Sequence, residues 1–306
     1  MSRVAAIDCG TNSIRLLVAD LPAGDGPLLE IVRRMEIVRL GQGVDQTGRL
    51  ASEAIERTRV ALAGYARELR ELGAERIRMV ATSASRDAQN ADEFRAMVLT
   101  TLGKEPEVIT GDEEARLSFA GAVRGLRGAQ PPYLVVDIGG GSTEFVLGEQ
   151  AVEAAKSVDI GCVRLTERHL RSDPPTGAEI AAAEKDIIDA VALARSVVPM
   201  ERAATLVGLA GSVTTVTALA LGLPAYDPTV IHHARITRAQ VAEVTSRLLA
   251  QVRAERSASP VMHPGRVDVI GAGALVLRVI MDEIGAENVV ASEHDILDGI
   301  AWSLAP

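Results

Sequence analysis

Residues 4–18 read VAAIDCGTNSIRLLV, and residues 134–147 repeat their pattern as LVVDIGGGSTEFVL. Each copy is an apolar run, then Asp-x-Gly-x-x-Ser, then a second apolar run, which is the pattern of two strands joined by a tight turn. The corresponding positions are Asp8 and Asp137, Gly10 and Gly139, and Ser13 and Ser142. The repeat therefore predicts that each half of the chain opens with a β-hairpin.

Both turns have the composition of anion-binding loops. Their small residues offer backbone N–H groups and hydroxyls to a phosphate, and the Asp that ends each first strand can hold a hydrated cation beside it. The candidate phosphate-binding residues are Gly10, Thr11, Asn12 and Ser13 in the first loop and Gly139, Gly140, Gly141, Ser142 and Thr143 in the second. If only one copy were present, an ordinary turn would explain it, because Gly and Ser are common in turns. Two copies with matched flanks favour phosphate binding.

Neither turn matches the better-known nucleotide motifs. A dinucleotide-binding loop requires G-x-G-x-x-G between a strand and a helix, whereas residues 139–144 lead into a second apolar run. A Walker loop, G-x-x-x-x-G-K-S/T, is absent from the sequence.

The chain is long enough for two domains, since 306 residues exceed one domain of ordinary size. The clearest linker is the Gly- and Pro-containing stretch at residues 128–132, just before the second copy of the hairpin. We therefore expect one domain over residues 1–127 and a second over residues 128–306, with a last helix near residues 294–304 that packs back on the first domain. Strands alternate with helices in both halves, which indicates an α/β fold with mixed sheets.

Local signals predict several helix ends. Ser52 is expected as the N-cap of a helix that stops at Gly73, and Thr176 with Glu179 has the capping-box pattern of a later, Ala-rich helix. Another helix is expected over residues 112–126, with acidic residues in its first turn.

Composition argues against several classes of function. The net charge is −9, from 32 basic and 41 acidic residues, and aromatic residues make up 2%. General nucleic-acid binding depends on basic surface and aromatic stacking, and no apolar run reaches the ~20 residues of a membrane span. Two cysteines are too few for a disulfide framework or a zinc cluster, so a cytoplasmic protein with reduced thiols is expected. A homodimer is the base expectation for a soluble oligomer.

Three further segments carry candidate ligand groups. The acidic side chains at residues 112–114 either stabilise the helix by interacting with its dipole or supply a carboxylate that acts as a general base on water. Arg86 follows a predicted strand and either pairs with a phosphate or lies on the surface. Gly211 and Ser212 begin another strand-to-helix connection, which suits either an anion site or close packing.

Histidine and cysteine carry weaker signals. His232 and His233 lack another His or Cys at ligand spacing, so a zinc site is not expected. Cys9 lies within the first repeat, where a space-filling role in the turn is favoured over a nucleophilic one.

Together these segments resemble the exopolyphosphatase/guanosine pentaphosphate phosphatase (Ppx/GppA) family of the actin–Hsp70–sugar kinase superfamily. The resemblance covers essentially the whole chain. It rests on AIDCGTNS at residues 6–13, ATSASRDA at 81–88, GDEEARL at 111–117 and VDIGGGSTE at 136–144, to which GLAGS at 208–212 and SEHDILDG at 292–299 are added.

The resemblance implies two ribonuclease H-like (actin-like ATPase) domains with mixed sheets flanked by helices and an active site in the cleft between them. Glu114 matches the family's catalytic base. The implied ligands of Mg²⁺, or of another divalent cation such as Mn²⁺, are Asp8, Asp137 and Glu144. The two repeat loops match phosphate-binding loops, with Gly211 and Ser212 as a further phosphate site. Arg15 and Arg86 are implied partners of an anionic chain.

The implied reaction is the release of terminal orthophosphate from inorganic polyphosphate. Glu114 would activate water, while loop N–H groups and the metal neutralise charge on the transferred phosphoryl group. The sequence ends at Pro306, without the additional C-terminal helical domains of the long family members. We therefore expect short polyphosphates as substrates.

Other functions fit parts of the same pattern. Removal of the 5′-phosphate from guanosine pentaphosphate, a reaction of the stringent response, is not separated from polyphosphate hydrolysis by any residue. A kinase of the same superfamily fits the hairpins, but the acidic helix start favours a hydrolase. A non-catalytic sensor of polyphosphate or of an adenine nucleotide is disfavoured because each expected catalytic position is filled.

Overall fold

The computed structural model describes residues 2–22, 26–126 and 128–305. The chain forms two compact units, one comprising Met1–Gly125 with Ile296–Pro306 and the other comprising Leu126–Asp295. The break lies two residues before the predicted boundary, and the last helix belongs to the first unit.

The first unit contains a five-stranded mixed sheet in the order β3-β2-β1-β4-β5. Its strands are β1 Ser2–Cys9, β2 Ser13–Leu21, β3 Leu29–Ile37, β4 Arg76–Ala81 and β5 Glu107–Val108. Its helices are α1 Val44–Thr47, α2 Ser52–Leu72, α3 Ser83–Asp87, α4 Ala91–Leu102 and α5 Gly111–Val123, together with the last helix of the chain, α13 Ile296–Trp302.

The second unit contains a six-stranded mixed sheet in the order β10-β11-β9-β6-β7-β8. Its strands are β6 Tyr133–Ile138, β7 Thr143–Gly148, β8 Val152–Val158, β9 Thr205–Leu209, β10 Arg235–Thr237 and β11 Asn288–Ala291. Its helices are α6 Cys162–Arg168, α7 Gly177–Arg195, α8 Ala210–Ala220, α9 Pro228–Ile231, α10 Arg238–Ala250, α11 Arg253–Ser257 and α12 Ile270–Ile284, with 3₁₀ turns at Met200–Arg202 and Pro264–Arg266.

The predicted hairpins open both sheets. Strand β1 pairs antiparallel with β2 and parallel with β4, and β6 pairs antiparallel with β7 and parallel with β9. The expected α/β fold with mixed sheets flanked by helices is therefore confirmed. In both units the turn of the hairpin lies at the same end of the sheet as the carboxyl end of the neighbouring parallel strand, where α/β folds collect ligand groups.

Alternating burial explains why β1 lies at the centre of its sheet. Ala5 and Ile7 belong to one apolar cluster of the first unit, which α2 and α4 cover. Val4 and Ala6 point to the opposite face and belong to a second cluster, which α13 helps to cover. Because side chains alternate across a strand, this strand is buried on both faces.

The capping predictions fared differently. Helix α7 has the predicted capping box, since Thr176 accepts from the Glu179 N–H and Glu179 accepts from the Thr176 N–H. Helix α2 ends at Gly73 as predicted, but its N-cap is Ala51 rather than Ser52. The reason is that the Ala51 carbonyl already accepts the N–H groups of the first turn, so the prediction of a serine cap was wrong.

One helix boundary and one short strand differ from the predictions made from the sequence. Helix α5 begins at Gly111 and ends at Val123, earlier than the predicted end at Leu126. The short strand β10 was not predicted, because three residues carry too little alternation to be recognised. Over the described ranges, no helix has both the length and the apolar character of a membrane span.

Candidate active site

The two repeat loops are closed by the same hydrogen bond. The Gly10 N–H donates to the Ser13 carbonyl at 3.0 Å, and the Gly139 N–H donates to the Ser142 carbonyl at 3.0 Å. The sequence repeat is therefore also a repeat of backbone geometry.

The carbonyl groups of the first loop face the segment that follows β3. The Thr11 carbonyl accepts the Gly41 N–H at 2.9 Å, and the Asn12 carbonyl accepts the N–H groups of Val38 and Arg39. In a planar trans peptide the N–H points opposite to the carbonyl. The N–H groups of Asn12 and Ser13 are therefore directed away from this segment, as an anion-binding loop requires.

The second loop has the same arrangement, with the start of α6 behind it. The carbonyls of Gly139, Gly140 and Gly141 accept, respectively, from the N–H groups of Cys162, Val163 and Gly161, at 2.9–3.1 Å. By the same peptide geometry, the N–H groups of Gly140, Gly141 and Ser142 are directed away from α6. Three successive N–H groups with this orientation are the kind of donor set that suits an anion.

One glycine stands behind each loop, and sequence reasoning missed both. A Cβ on Gly41 would lie 2.3 Å from Thr11 Cγ2, and a Cβ on Gly161 would lie 2.2 Å from the backbone carbonyl of Gly140. Only glycine permits these approaches. Their roles depend on contacts with the loops and have no signature in the local sequence.

Asp8 and Asp137 lie near the ends of β1 and β6 and have different neighbours. Asp8 faces Arg15 across the β1–β2 hairpin, and its Oδ2 accepts from Arg15 Nη2 at 2.6 Å and from Arg15 Nε at 3.0 Å. Asp137 faces Glu144 across the β6–β7 hairpin. The first hairpin thus contains an ion pair, and the second contains two neighbouring carboxylates.

The carboxylate pair has the chemistry of a magnesium site. Asp137 is 7% exposed and Glu144 is 1% exposed, and Ser157 donates its hydroxyl to Glu144 Oε1 at 2.7 Å. Mg²⁺ is commonly held by one or two carboxylates together with water and substrate phosphates, so these residues fit the ion. In the described part of the chain, no group of three or more His, Cys, Asp or Glu side chains could hold a metal ion.

Glu114 lies in the first turn of α5. Thr110 caps this helix by accepting the Glu113 N–H, and the Glu114 side chain is buried near the guanidinium of Arg86. Arg86 Nη1 lies 3.4 Å from Glu114 Oε2 and donates to the Ile109 carbonyl at 2.9 Å. The structure therefore brings together two predicted site residues, a carboxylate and an arginine, at the start of one helix.

A hydroxyl pair links the first loop to the segment after β4. Thr11 Oγ1 and Ser83 Oγ lie 2.9 Å apart and are both buried. Ser83 belongs to the stretch that precedes Arg86, and sequence reasoning singled out only the arginine there. The first loop is thus hydrogen-bonded through Thr11 to Ser83, which lies in the same short helix as Arg86.

The predicted site at the start of α8 contains a further arginine. Arg266 Nη1 lies 3.3 Å from the Gly211 carbonyl and 3.2 Å from Thr215 Oγ1, and a Cβ on Gly211 would lie 2.1 Å from the guanidinium. Ala210, just before Gly211, has a φ of 65°, which is strained for a residue with a Cβ. Sequence reasoning missed Arg266 because it is distant in the chain.

Other predicted residues make contacts within the protein. The Thr143 hydroxyl is buried and donates to the Ile160 carbonyl at 3.0 Å. Ser212 packs against Gly273, where a Cβ would lie 2.2 Å from Ser212 Oγ. These contacts fix the two side chains in the fold of the second unit.

The two cysteines are buried and free. Burial raises the pKa of the Cys9 thiol, and the charge of Asp8 raises it further. Burial also raises the pKa of the Cys162 thiol. Neither thiol is therefore activated as a nucleophile, in agreement with the expectation for Cys9.

His294 meets the consecutive residues His232 and His233 in the second unit. The rings of His232 and His233 have centroids 3.7 Å apart, and those of His232 and His294 are 4.3 Å apart. The Glu293 N–H donates to His232 Nδ1 at 3.2 Å. Burial, with the nearby charge of His294, lowers the pKa of His233.

The model of the family described as "Ppx/GppA phosphatase family" matches residues 17–306. A relative from Mycobacterium tuberculosis, named "Exopolyphosphatase 2", is 55% identical over all of this chain and 99% of the relative.

Solved structures give the same grouping. A protein described as "exopolyphosphatase-like" is 43% identical with a TM-score of 0.94, and the alignment covers 98% of each chain. A Ppx/GppA protein from Aquifex aeolicus is 32% identical with a TM-score of 0.81, covering 99% of this chain and 97% of that one.

Proposed function

Since this chain belongs to the Ppx/GppA phosphatase family, we propose that it is an exopolyphosphatase, which removes the terminal orthophosphate of inorganic polyphosphate by attack of water. The name of the Mycobacterium tuberculosis relative supports this choice of substrate. The observation that carries the proposal is Glu114, a buried carboxylate at the start of α5 that sits beside Arg86.

Glu114 is proposed as the general base. Its carboxylate takes a proton from the attacking water as the new bond to phosphorus forms. The bond from phosphorus to the bridging oxygen then breaks, and the shortened polyphosphate leaves with that electron pair. Arg86 Nη1, 3.4 Å from Glu114 Oε2, is placed to hold this carboxylate in position.

The loops hold the phosphoryl groups. The N–H groups that face away from the loop carbonyls donate to phosphate oxygens, and Ser13 and Ser142 add hydroxyls. This arrangement is in place before the reaction, so charge that develops on the transferred group meets oriented donors. Arg266 and the start of α8 are suited to a further phosphate of the same chain.

A divalent cation is proposed as cofactor, Mg²⁺ in the first instance and Mn²⁺ as a substitute. Asp137 and Glu144 are its proposed ligands. When bound, the ion would neutralise phosphate charge and orient the scissile bond. Asp8, which the sequence analysis included, is left out of this set: Arg15 already holds its Oδ2, and no three such side chains in the described residues could hold one metal ion.

We further propose that the substrates are short polyphosphates, that the protein works in the cytoplasm, where both buried thiols stay reduced, and that it forms a homodimer. Guanosine pentaphosphate ends in the same kind of phosphoanhydride, and it is kept as the competing substrate in the test.

The test is phosphate release from four substrates at matched concentrations of terminal phosphate: short polyphosphate, long polyphosphate, guanosine pentaphosphate and ATP. Each is assayed with Mg²⁺, with Mn²⁺ and with a chelator. We expect the highest kcat/KM on short polyphosphate and loss of release with the chelator. A higher kcat/KM on guanosine pentaphosphate would overturn the proposed substrate, and equal rates in the chelator would overturn the proposed cofactor.

A further inference from the structure

The last helix of the chain makes an unusually close contact with the helix that carries Glu114. A Cβ on Gly299, in α13, would lie 2.0 Å from the Leu117 carbonyl oxygen and 2.7 Å from its carbonyl carbon. Leu117 lies in α5, one turn after Glu114. Both atoms at the contact belong to the backbone, so no side-chain movement can relieve a larger residue at Gly299.

Helix α13 is itself fixed to the sheet. Asp298 is 3% exposed, and Arg33 of β3 holds it through two contacts, Nη2 to Oδ1 at 2.7 Å and Nη1 to Oδ2 at 3.2 Å. Bidentate pairs of this kind fix orientation as well as distance. The apolar residues Ile296, Leu297 and Ile300 of α13 pack in the same cluster as Leu117.

Arg78 of β4 joins the start of α5 to the end of α13. Its Nη2 lies 2.6 Å from Glu113 Oε1, and its Nη1 donates to Ser303 Oγ at 2.8 Å. Glu113 is the immediate neighbour of Glu114. Helix α5 is therefore held by α13 directly at Leu117, and by way of Arg78 in its first turn.

We propose that α13 positions the general base, with Gly299 as the central positioning residue. The inference rests on the proposed function of Glu114 and adds a role for a segment that is distant from it in sequence. Glu114 must sit within hydrogen-bond reach of the attacking water, and a misplacement of about 1 Å can cost roughly 100-fold in rate. The loops that bind phosphate do not contain Gly299, so its replacement affects turnover more than binding.

The main experiment compares Gly299→Ala with Gly64→Ala. Gly64 lies within α2, and a Cβ there would meet nothing within 4 Å, which makes it a matched control. We expect Gly299→Ala to lower kcat roughly 10- to 100-fold with KM for polyphosphate changed less than about threefold. Gly64→Ala should leave both parameters unchanged. Assays run well below the Tm of each variant keep the protein folded.

A double-variant cycle distinguishes positioning from general destabilisation. If Gly299 acts through Glu114, then Gly299→Ala should cause little further loss of rate in a Glu114→Gln background, because the group that it positions is already disabled. An equal fractional loss in both backgrounds, or an unchanged kcat in folded Gly299→Ala, would overturn the inference. Full activity of Glu114→Gln alone would instead overturn the proposed function.

Two milder variants keep the inference testable if Gly299→Ala does not fold. Ser303→Ala removes the hydroxyl that Arg78 holds, and Ser303→Thr retains it. We expect Ser303→Ala to lower kcat about two- to fivefold at constant KM, since it removes one hydrogen bond that holds Arg78. Ser303→Thr should recover the wild-type value. Equal kcat for Ser303→Ala, Ser303→Thr and the wild type would contradict the inference.

Discussion

Asp137 and Glu144 lie directly opposite each other on the antiparallel strands β6 and β7, and both are buried. The equivalent pair in the first hairpin is Asp8 and Arg15, which form an ion pair. Like charges that face each other across a sheet repel, which is one reason why a cation is proposed at the second hairpin and not at the first. The sequence repeat thus conceals an electrostatic difference between the two halves.

This difference predicts the effect of Glu144→Gln. This substitution removes the charge of one of the two proposed Mg²⁺ ligands. The same change should raise the Mg²⁺ concentration required for half-maximal activity. Mg²⁺ titrations of activity measure this effect. Glu149→Gln, at an exposed turn of the same sheet, is the control, and equal responses of the two variants would contradict the prediction.

The role of Glu114 predicts that Glu114→Gln abolishes turnover and leaves binding intact. Glutamine cannot accept the proton of the attacking water, and the loss of a general base costs roughly 10²- to 10⁴-fold in kcat. Stopped assays measure kcat, and calorimetry with short polyphosphate measures Kd. Asp112→Asn is the matched control, because Asp112 lies in the same turn of α5 and contributes similarly to the helix dipole. A kcat within threefold of the wild-type value for Glu114→Gln would contradict the assignment of Glu114 as the general base.

The close contact between Gly161 and the second loop predicts the effect of Gly161→Ala. The new methyl group would overlap the Gly140 carbonyl, so either α6 or the loop must move. We expect a loss of roughly 1 to 3 kcal/mol in the free energy of unfolding and a rise in KM for polyphosphate. Gly177→Ala provides the comparison, since a Cβ at Gly177 meets nothing within 4 Å. A variant with unchanged KM would show that the loop N–H groups do not depend on this contact.

The histidine cluster predicts a dependence of stability on pH. The pKa of His233 is lowered from 6.5 in the folded protein, so the unfolded state takes up the proton first as the pH falls. Stability from the neutral ring is therefore fully present above about pH 6.5 and is lost as the pH falls through the folded-state pKa. We expect His233→Asn to lose less free energy of unfolding between pH 7.5 and pH 5.5 than the wild type. Asn also tolerates the φ of 65° at this position, and identical losses would contradict the prediction.

The extent of agreement between sequence and structure has a physical basis. The hairpins, the long helices and the capping box of α7 depend on neighbouring residues, so local patterns predict them. Gly41, Gly161 and Arg266 act on loops that are distant in the chain, and no local pattern marks them. Ser52 was misassigned because side-chain preference alone does not reveal which carbonyl begins the helix. The pairing of Arg15 with Asp8 follows from the register of the hairpin. The repeat predicts the hairpin, but composition alone does not predict the pair.

That pairing leads to a final prediction, for Arg15→Gln. The substitution removes the guanidinium that pairs with the buried Asp8, and breaking a buried pair in this way typically costs about 3 to 5 kcal/mol. We expect a smaller loss for the double variant Asp8→Asn/Arg15→Gln, in which neither charge remains, and a greater stabilisation by added Mg²⁺ in Arg15→Gln than in the wild type. Denaturant unfolding with and without Mg²⁺ measures all three. If Arg15→Gln is as stable as the wild type in a chelator, Arg15 does not compensate the charge of Asp8, and the proposed division between a self-neutralised hairpin and a metal-binding hairpin fails.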